Sequence, residues 1–191
     1  MQHNIIWKGI EYHSLENCIV EVTGQCVKVQ SSIVGHYQQA LYKVDYYLLA
    51  NEQWETRELE IKCQLRDEIH QWSLRCDARS HWWLQGEAAP QFDQCTDVDI
   101  TLTCLTNSLP IRRLSFDATA THQIDVVYFN ILEQTVLPVQ QQYTRLQEGQ
   151  FKFENVPNDF EAVIDVDEHG LVTYYPDLFE RAAVAVSAYK V

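Results

Sequence analysis

Long hydrophobic runs are missing from this sequence: no stretch approaches the roughly twenty apolar residues that a membrane-spanning helix requires. The opening residues Met1-Gln2-His3-Asn4-Ile5-Ile6-Trp7-Lys8 lack a basic start followed by an apolar stretch, so no signal peptide is read and the cytoplasm is the expected compartment. Positive charge is scarce too. With 14 Lys and Arg against 27 Asp and Glu, the formal net charge is -13. Such a field repels phosphate backbones and anionic membrane faces at long range, and no Arg-rich run or basic-aromatic interleaving offsets it. Nucleic acid and stable membrane insertion are therefore not expected.

The catalytic and metal signatures are equally thin. The 6 cysteines form no C-x-x-C pair and no zinc-finger spacing with histidine, so no metal or cofactor is expected. Cys63 and Cys104 sit in alternating apolar patterns, where a free thiol behaves as a small hydrophobe. Gly-x-Ser-x-Gly, Walker loops, Rossmann glycines and His-Glu-x-x-His are missing, and the 7 histidines are dispersed. An Asp165-x-Asp167-x-x-Gly170 spacing resembles a calcium loop, but Pro176 stands where such a loop needs a bidentate glutamate.

What is present is apolar, aromatic and periodic. The 191 residues are 46% hydrophobic and 12% aromatic, enough for one domain over residues 1–191 with a sizeable core. Within residues 55–66, Leu59, Ile61, Cys63 and Leu65 alternate with Glu58, Glu60, Lys62, Gln64 and Arg66, which predicts an antiparallel strand with one wet face. The same period fits residues 42–48, 98–104, 124–128 and 160–166, with shorter candidates at 18–22, 26–33 and 151–156. Asp167-Glu168-His169-Gly170 predicts a hairpin tip, the glycine supplying the positive φ. Helical periodicity is confined to a short candidate from Asp177 into the Ala-rich tail, opened by Pro176. The expected fold is all-β and mainly antiparallel: one long curled sheet, a spiral β-roll or half-barrel with at most one or two short helices, its apolar faces turned into one concavity.

The segment 97–117 is the most informative. With residues 106–110 as a connection, its flanks read as a hairpin in which Ile100, Leu102, Cys104, Leu114 and Phe116 share one face with Arg112. Arg113 then faces the other way, beside Asp97 or Asp99. Arg57 raises the same question, having the parity of Leu59 and Ile61. A guanidinium on an apolar face costs several kcal/mol unless paired. Each arginine caps the end of the barrel, meets an internal carboxylate such as Glu55 or Asp45, or holds a ligand's acidic or hydroxyl-rich head by bidentate hydrogen bonds.

The motifs Trp54-x-Thr56-Arg57, Asp97-Val98-Asp99, residues 106–114 around Leu109-Pro110-Ile111, Gln142-Tyr143-Thr144-Arg145-Leu146, and Asp165-Val166-Asp167-x-x-Gly170-Leu171-Val172-x-x-Tyr175-Pro176 carry a resemblance. Together they span nearly the whole chain, and it resembles the bacterial putative glycolipid-binding family, formerly a domain of unknown function. The resemblance implies a spiral or half-barrel sheet similar to bacterial lipoprotein and glycolipid carriers. One departure is Thr103-Cys104-Leu105-Thr106-Asn107, where the family typically has Thr-Pro-Phe-Thr-Asn, so a rigidifying proline and an aromatic are lost.

The expected function is binding of a small amphiphilic molecule, glycolipid or lipid-like, on the concave face. Arg57, Arg112, Trp54, Tyr143 and Asn107 are the candidate ligand contacts, and Asp97, Asp99 and Arg113 the candidate structural ion pairs. Two other classes remain open. One is a glycoside or ester hydrolase using Asp97 and Asp99 with Arg112 or Arg113. The other is a cytoplasmic protein-interaction module without a ligand, its protein partner unknown.

Overall fold

The structure, a computed structural model, describes residues 1–117 and 120–188. Among them, fifteen strands form a single sheet built from two meanders. The first runs β1 (Gln2–Gly9), β2 (Ser14–Val22), β3 (Cys26–Tyr37), β4 (Ala40–Asn51), β5 (Thr56–Leu65), β6 (Glu68–Cys76), β7 (Trp82–Leu84) and β8 (Glu87–Ala88). The second half opens with β9 (Asp97–Ile100), and its meander runs β10 (Thr121–Asn130), β11 (Thr135–Gln147), β12 (Gln150–Val156), β13 (Glu161–Val166), β14 (Val172–Tyr175) and β15 (Phe179–Ser187), with β9 paired parallel to β10. They join where β15 pairs antiparallel with β1, leaving β8 and β9 at the sheet's two edges. The sheet is open, its edge strands β8 and β9 not paired with each other. It is also strongly curled, because Thr96 on the link between the edges accepts a hydrogen bond from the Thr56 amide at 3.2 Å, while its own amide donates to Asp125 at 3.3 Å.

Alternation fixes which side chains enter the curl. On β4, Ala40, Tyr42, Val44, Tyr46, Leu48 and Ala50 are buried. Opposite them on β5, Leu59, Ile61 and Cys63 are buried, as the sequence pattern predicts. The predicted tip at 167–170 is also found: Gly170 has φ +72°, and the Asp167 carboxylate accepts the amides of His169 and Leu171 at 2.9 and 3.0 Å.

Two elements differ from expectation. The segment after β9 is no hairpin strand. It leaves the sheet at Ile100, makes a 3-10 turn over Leu105–Asn107 and a short helix, α1, over Ser108–Arg113. Leu102, Cys104, Leu105, Leu109 and Ile111 are all buried, so this segment is a plug seated inside the curl. Enclosure on several sides removes the wet face that gives a strand its period, and Pro110 lies in the first helical turn, where its missing N–H costs nothing. The Ala-rich tail, expected as a helix, is strand β15. Asp177, at φ +63°, turns the chain after Pro176, and the Ala/Val repeat then pairs with β1 from Gln2↔Ser187 to Gly9↔Phe179. Eight ladder partners outweigh the modest helix preference of alanine.

Candidate functional site

The plug fills only part of the curl. Beside it lies a cavity of about 490 Å³ between β9, the plug, β10 to β12 and the β14–β15 turn. One wall is apolar, with Phe153, Phe160, Leu178 and Phe179 facing Leu137 and Val139. The floor is polar. Asp99 on β9 accepts from Thr106 Oγ1 at 2.7 Å and from Gln141 Nε2 at 2.7 Å. Tyr143 accepts from Asn107 Nδ2 at 2.9 Å and donates to Gln141 Oε1 at 3.5 Å. Plug and β11 are thereby tied into one network that orients Asp99, Asn107 and Gln141.

These elements bring the groups together for local reasons. The i, i+2 parity of β11 turns Gln141 and Tyr143 to the same buried face. The plug's 3-10 turn aims Thr106 back at the strand it has just left, where its hydroxyl also accepts the Ile100 amide at 3.4 Å. Thr101 Oγ1 donates to the Phe129 carbonyl at 2.9 Å and lies 3.2 Å from the Tyr128 hydroxyl.

The cavity's charge is of one sign. Asp99 is its half-buried carboxyl, with Glu11 and Asp159 exposed, and no Lys, Arg or His is among the lining residues. Burial pushes the Asp99 carboxyl up, and its bonds to Thr106 and Gln141 pull it back. Burial also pushes up the hydroxyls of Tyr12, Tyr128 and Tyr175, which line the cavity in neutral form.

The sequence-predicted residues divide into two groups. Asn107 lines the cavity, and Tyr143 stands behind it through the hydrogen bonds above. Arg57, Arg112 and Trp54 line it nowhere. The parity argument for Arg57 fails because of a bulge: Ala50 pairs with Thr56 and Leu49 with Glu58. Thr56 turns inward in its place. Arg57 instead meets Glu55 Oε2 at 2.5 Å and the Asp77 carbonyl at 3.3 Å. Arg112, expected on an apolar strand face, lies on α1 and is exposed, its guanidinium 5.3 Å from the Trp54 ring centroid.

Asp97 and Arg113 form a bidentate pair, Nη2 to Oδ2 at 2.5 Å and Nε to Oδ1 at 3.3 Å. Asp97 is fully buried and paired with Arg113, one of the ion pairs the sequence suggests. Asp99, two residues on, has neutral donors instead of a cation.

Sequence reasoning missed one buried carboxyl. Glu16 on β2 accepts from Ser31 Oγ at 2.7 Å and Tyr46 OH at 2.8 Å, and burial pushes it up to about 7. Its other oxygen has no hydrogen-bond partner. The signal was available, because Glu16 shares parity with Cys18 and Val20, an acid on an apolar face. Among the described residues no group of three or more His, Cys, Asp or Glu side chains is arranged to hold a metal ion, and no helix is long and apolar enough to cross a membrane.

Comparison with known proteins agrees with this architecture. No curated protein matches the chain. A crystal structure of a DUF1089 family protein from Pseudomonas aeruginosa is similar to it, with a TM-score of 0.76 and 32% identity over 87% of this chain and 91% of that one. A family model described as "Putative glycolipid-binding" matches residues 4–181, and the chain belongs to that family.

Proposed function

We propose that the protein binds an amphiphilic molecule in the cavity beside the plug. The observation that carries this reading is the cavity's two-sided lining. Phe153, Phe160, Leu178 and Phe179 offer an apolar wall, while Asp99, Asn107 and Gln141 offer a floor of hydrogen-bonding groups held by their own network. A volume of about 490 Å³ falls in the range of pockets that enclose small ligands. The acyl or other apolar portion lies along the aromatic wall, and the head meets the floor. The family description and the earlier expectation of a glycolipid or lipid-like ligand both fit this arrangement. The geometry favours the Asp99 floor over Arg57 and Arg112 as the place where the head is held.

Of the four side chains a glycoside or ester hydrolase would use, Asp99 alone lines the cavity. Asp97 is closed off by Arg113, so Asp97 and Asp99 do not face a common substrate.

The test is mass spectrometry of organic extracts of the purified protein, with calorimetric titration of decyl maltoside. Wild type should yield or bind about one amphiphile per chain. Val139→Trp, which fills the cavity, should abolish binding without altering the far-UV spectrum. An empty wild type that ignores decyl maltoside, or unchanged binding in Val139→Trp, would refute the reading. A protein-interaction module gives the first of those results.

A further inference from the structure

We infer that the head group this cavity takes carries a protonated amine. The inference rests on the amphiphile reading above and names the chemistry of the ligand's polar end.

Two carboxylates two residues apart on β9 are treated differently. Asp97 receives the fork of Arg113, a counter-ion inside the protein. Asp99 receives a hydroxyl from Thr106 and an amide from Gln141, both uncharged, and it is the one that faces the cavity. A carboxylate withdrawn from water is costly until a cation or a proton reaches it. Neutral donors satisfy its lone pairs without cancelling its charge. A bound ammonium completes the ion pair that Arg113 completes for Asp97.

The rest of the lining points the same way. Glu11 and Asp159 add two exposed carboxylates, and no lining cation competes with the ligand's charge. Asp159 is positioned by Asn155, whose amide donates to Oδ1 at 2.9 Å. Tyr12, Tyr128, Tyr175 and Phe153 put aromatic rings into the lining, and the quadrupole of such a ring attracts an ammonium that stands over its face. Because burial holds the tyrosines neutral, their hydroxyl oxygens remain acceptors for ammonium N–H groups. The overall charge of -13 steers cations towards the molecule from a distance. A phosphate or sulfate head meets repulsion at every charged group of the cavity. A neutral sugar meets none, yet leaves Asp99 uncompensated.

The test is calorimetric titration, at low salt and below micelle concentrations, with three decyl compounds: decylamine hydrochloride, decyl maltoside and sodium decyl sulfate. Wild type should bind the amine about tenfold more tightly than the maltoside, with the sulfate weakest. Asp99→Asn keeps the size and one acceptor oxygen, which can take the Gln141 amide, and turns its own amide towards the Thr106 hydroxyl, which can accept it; the change should bring amine and maltoside within about twofold. Asp45→Asn removes a carboxylate that pairs with Lys43 outside the cavity, and should leave the amine preference intact. Equal wild-type affinity for amine and maltoside, or a preference that survives Asp99→Asn, overturns the amine inference while the cavity reading stands. Failure of all three compounds to bind overturns both.

Discussion

The guanidinium of Arg113 grips the carboxylate of Asp97 with two nitrogens, and Asp97 has no exposed surface. The contact ties the last turn of α1 to the strand from which the plug departs, so it fixes both the plug's return and the position of Asp99 two residues on. Burial pushes the Asp97 carboxyl up while the guanidinium pulls it back, and removing the guanidinium leaves only the unfavourable half. Arg113→Ala should therefore cost about 3–5 kcal/mol in urea unfolding. Arg113→Lys should recover little, because a point charge does not reproduce the fork. The double change Asp97→Leu with Arg113→Met should recover most of the loss. A single Arg113→Ala variant of wild-type stability would contradict this account.

A second contact joins the plug to the 167–170 tip. A side chain on Gly170 would collide with Arg112 Cδ, and the residue sits at φ +72°, where a Cβ is strained in any case. Gly170→Ala is expected to destabilise by about 1–2 kcal/mol and to displace Arg112 from its seat over Trp54. Adding Arg112→Ala should relieve the steric part and leave the backbone part. The double-mutant cycle measures that coupling, and strict additivity would show that the two residues do not meet.

The plug itself should behave as core. Leu109 is buried, although the sequence pattern of residues 106–110 suggests a connection. Leu109→Ala should cost about 2–5 kcal/mol and lower the denaturation midpoint without changing its slope. A loss within about 0.5 kcal/mol, the range of ordinary surface changes, would place the plug outside the cooperative core.

How far the sequence could be read follows from which residues have a wet side. The alternation of residues 55–66 and 42–48 reports strands with one face in water, and β5 and β4 stand there. The plug and β9 have no such face, so Ile100, Leu102 and Cys104 look like one strand although the chain turns away after Ile100. Parity arguments also assume an unbroken ladder. The bulge at Arg57 and the helix at Arg112 each break it, which is why these arginines leave the interior while Asn107, carried by the plug, reaches the cavity. Asp99, Gln141 and Phe153 come together from β9, β11 and β12, and nothing local in the sequence announces that meeting.

Glu16 makes the last prediction, through pH. Its carboxyl is held near 7 by burial, against an ordinary value of 4.5 in the unfolded chain. Between those values the native state keeps a proton that the unfolded state has lost, so the unfolded chain binds fewer protons and stability falls as pH rises. The contribution is fully present below about 4.5 and gone above about 7. A gap of this size corresponds to roughly 3 kcal/mol. Asp99, also pushed up, acts with the same sign, whereas His3, pushed down by burial and by His169, loses stability as pH falls. Comparing wild type with Glu16→Gln cancels those common terms. Glutamine keeps an oxygen to accept from Ser31 and Tyr46, and it cannot ionise. Urea unfolding at pH 5 and pH 8 should show wild type losing roughly 2.5 kcal/mol more than the variant across that interval. Parallel stability curves for the two proteins would mean that Glu16 titrates normally and that water reaches its second oxygen.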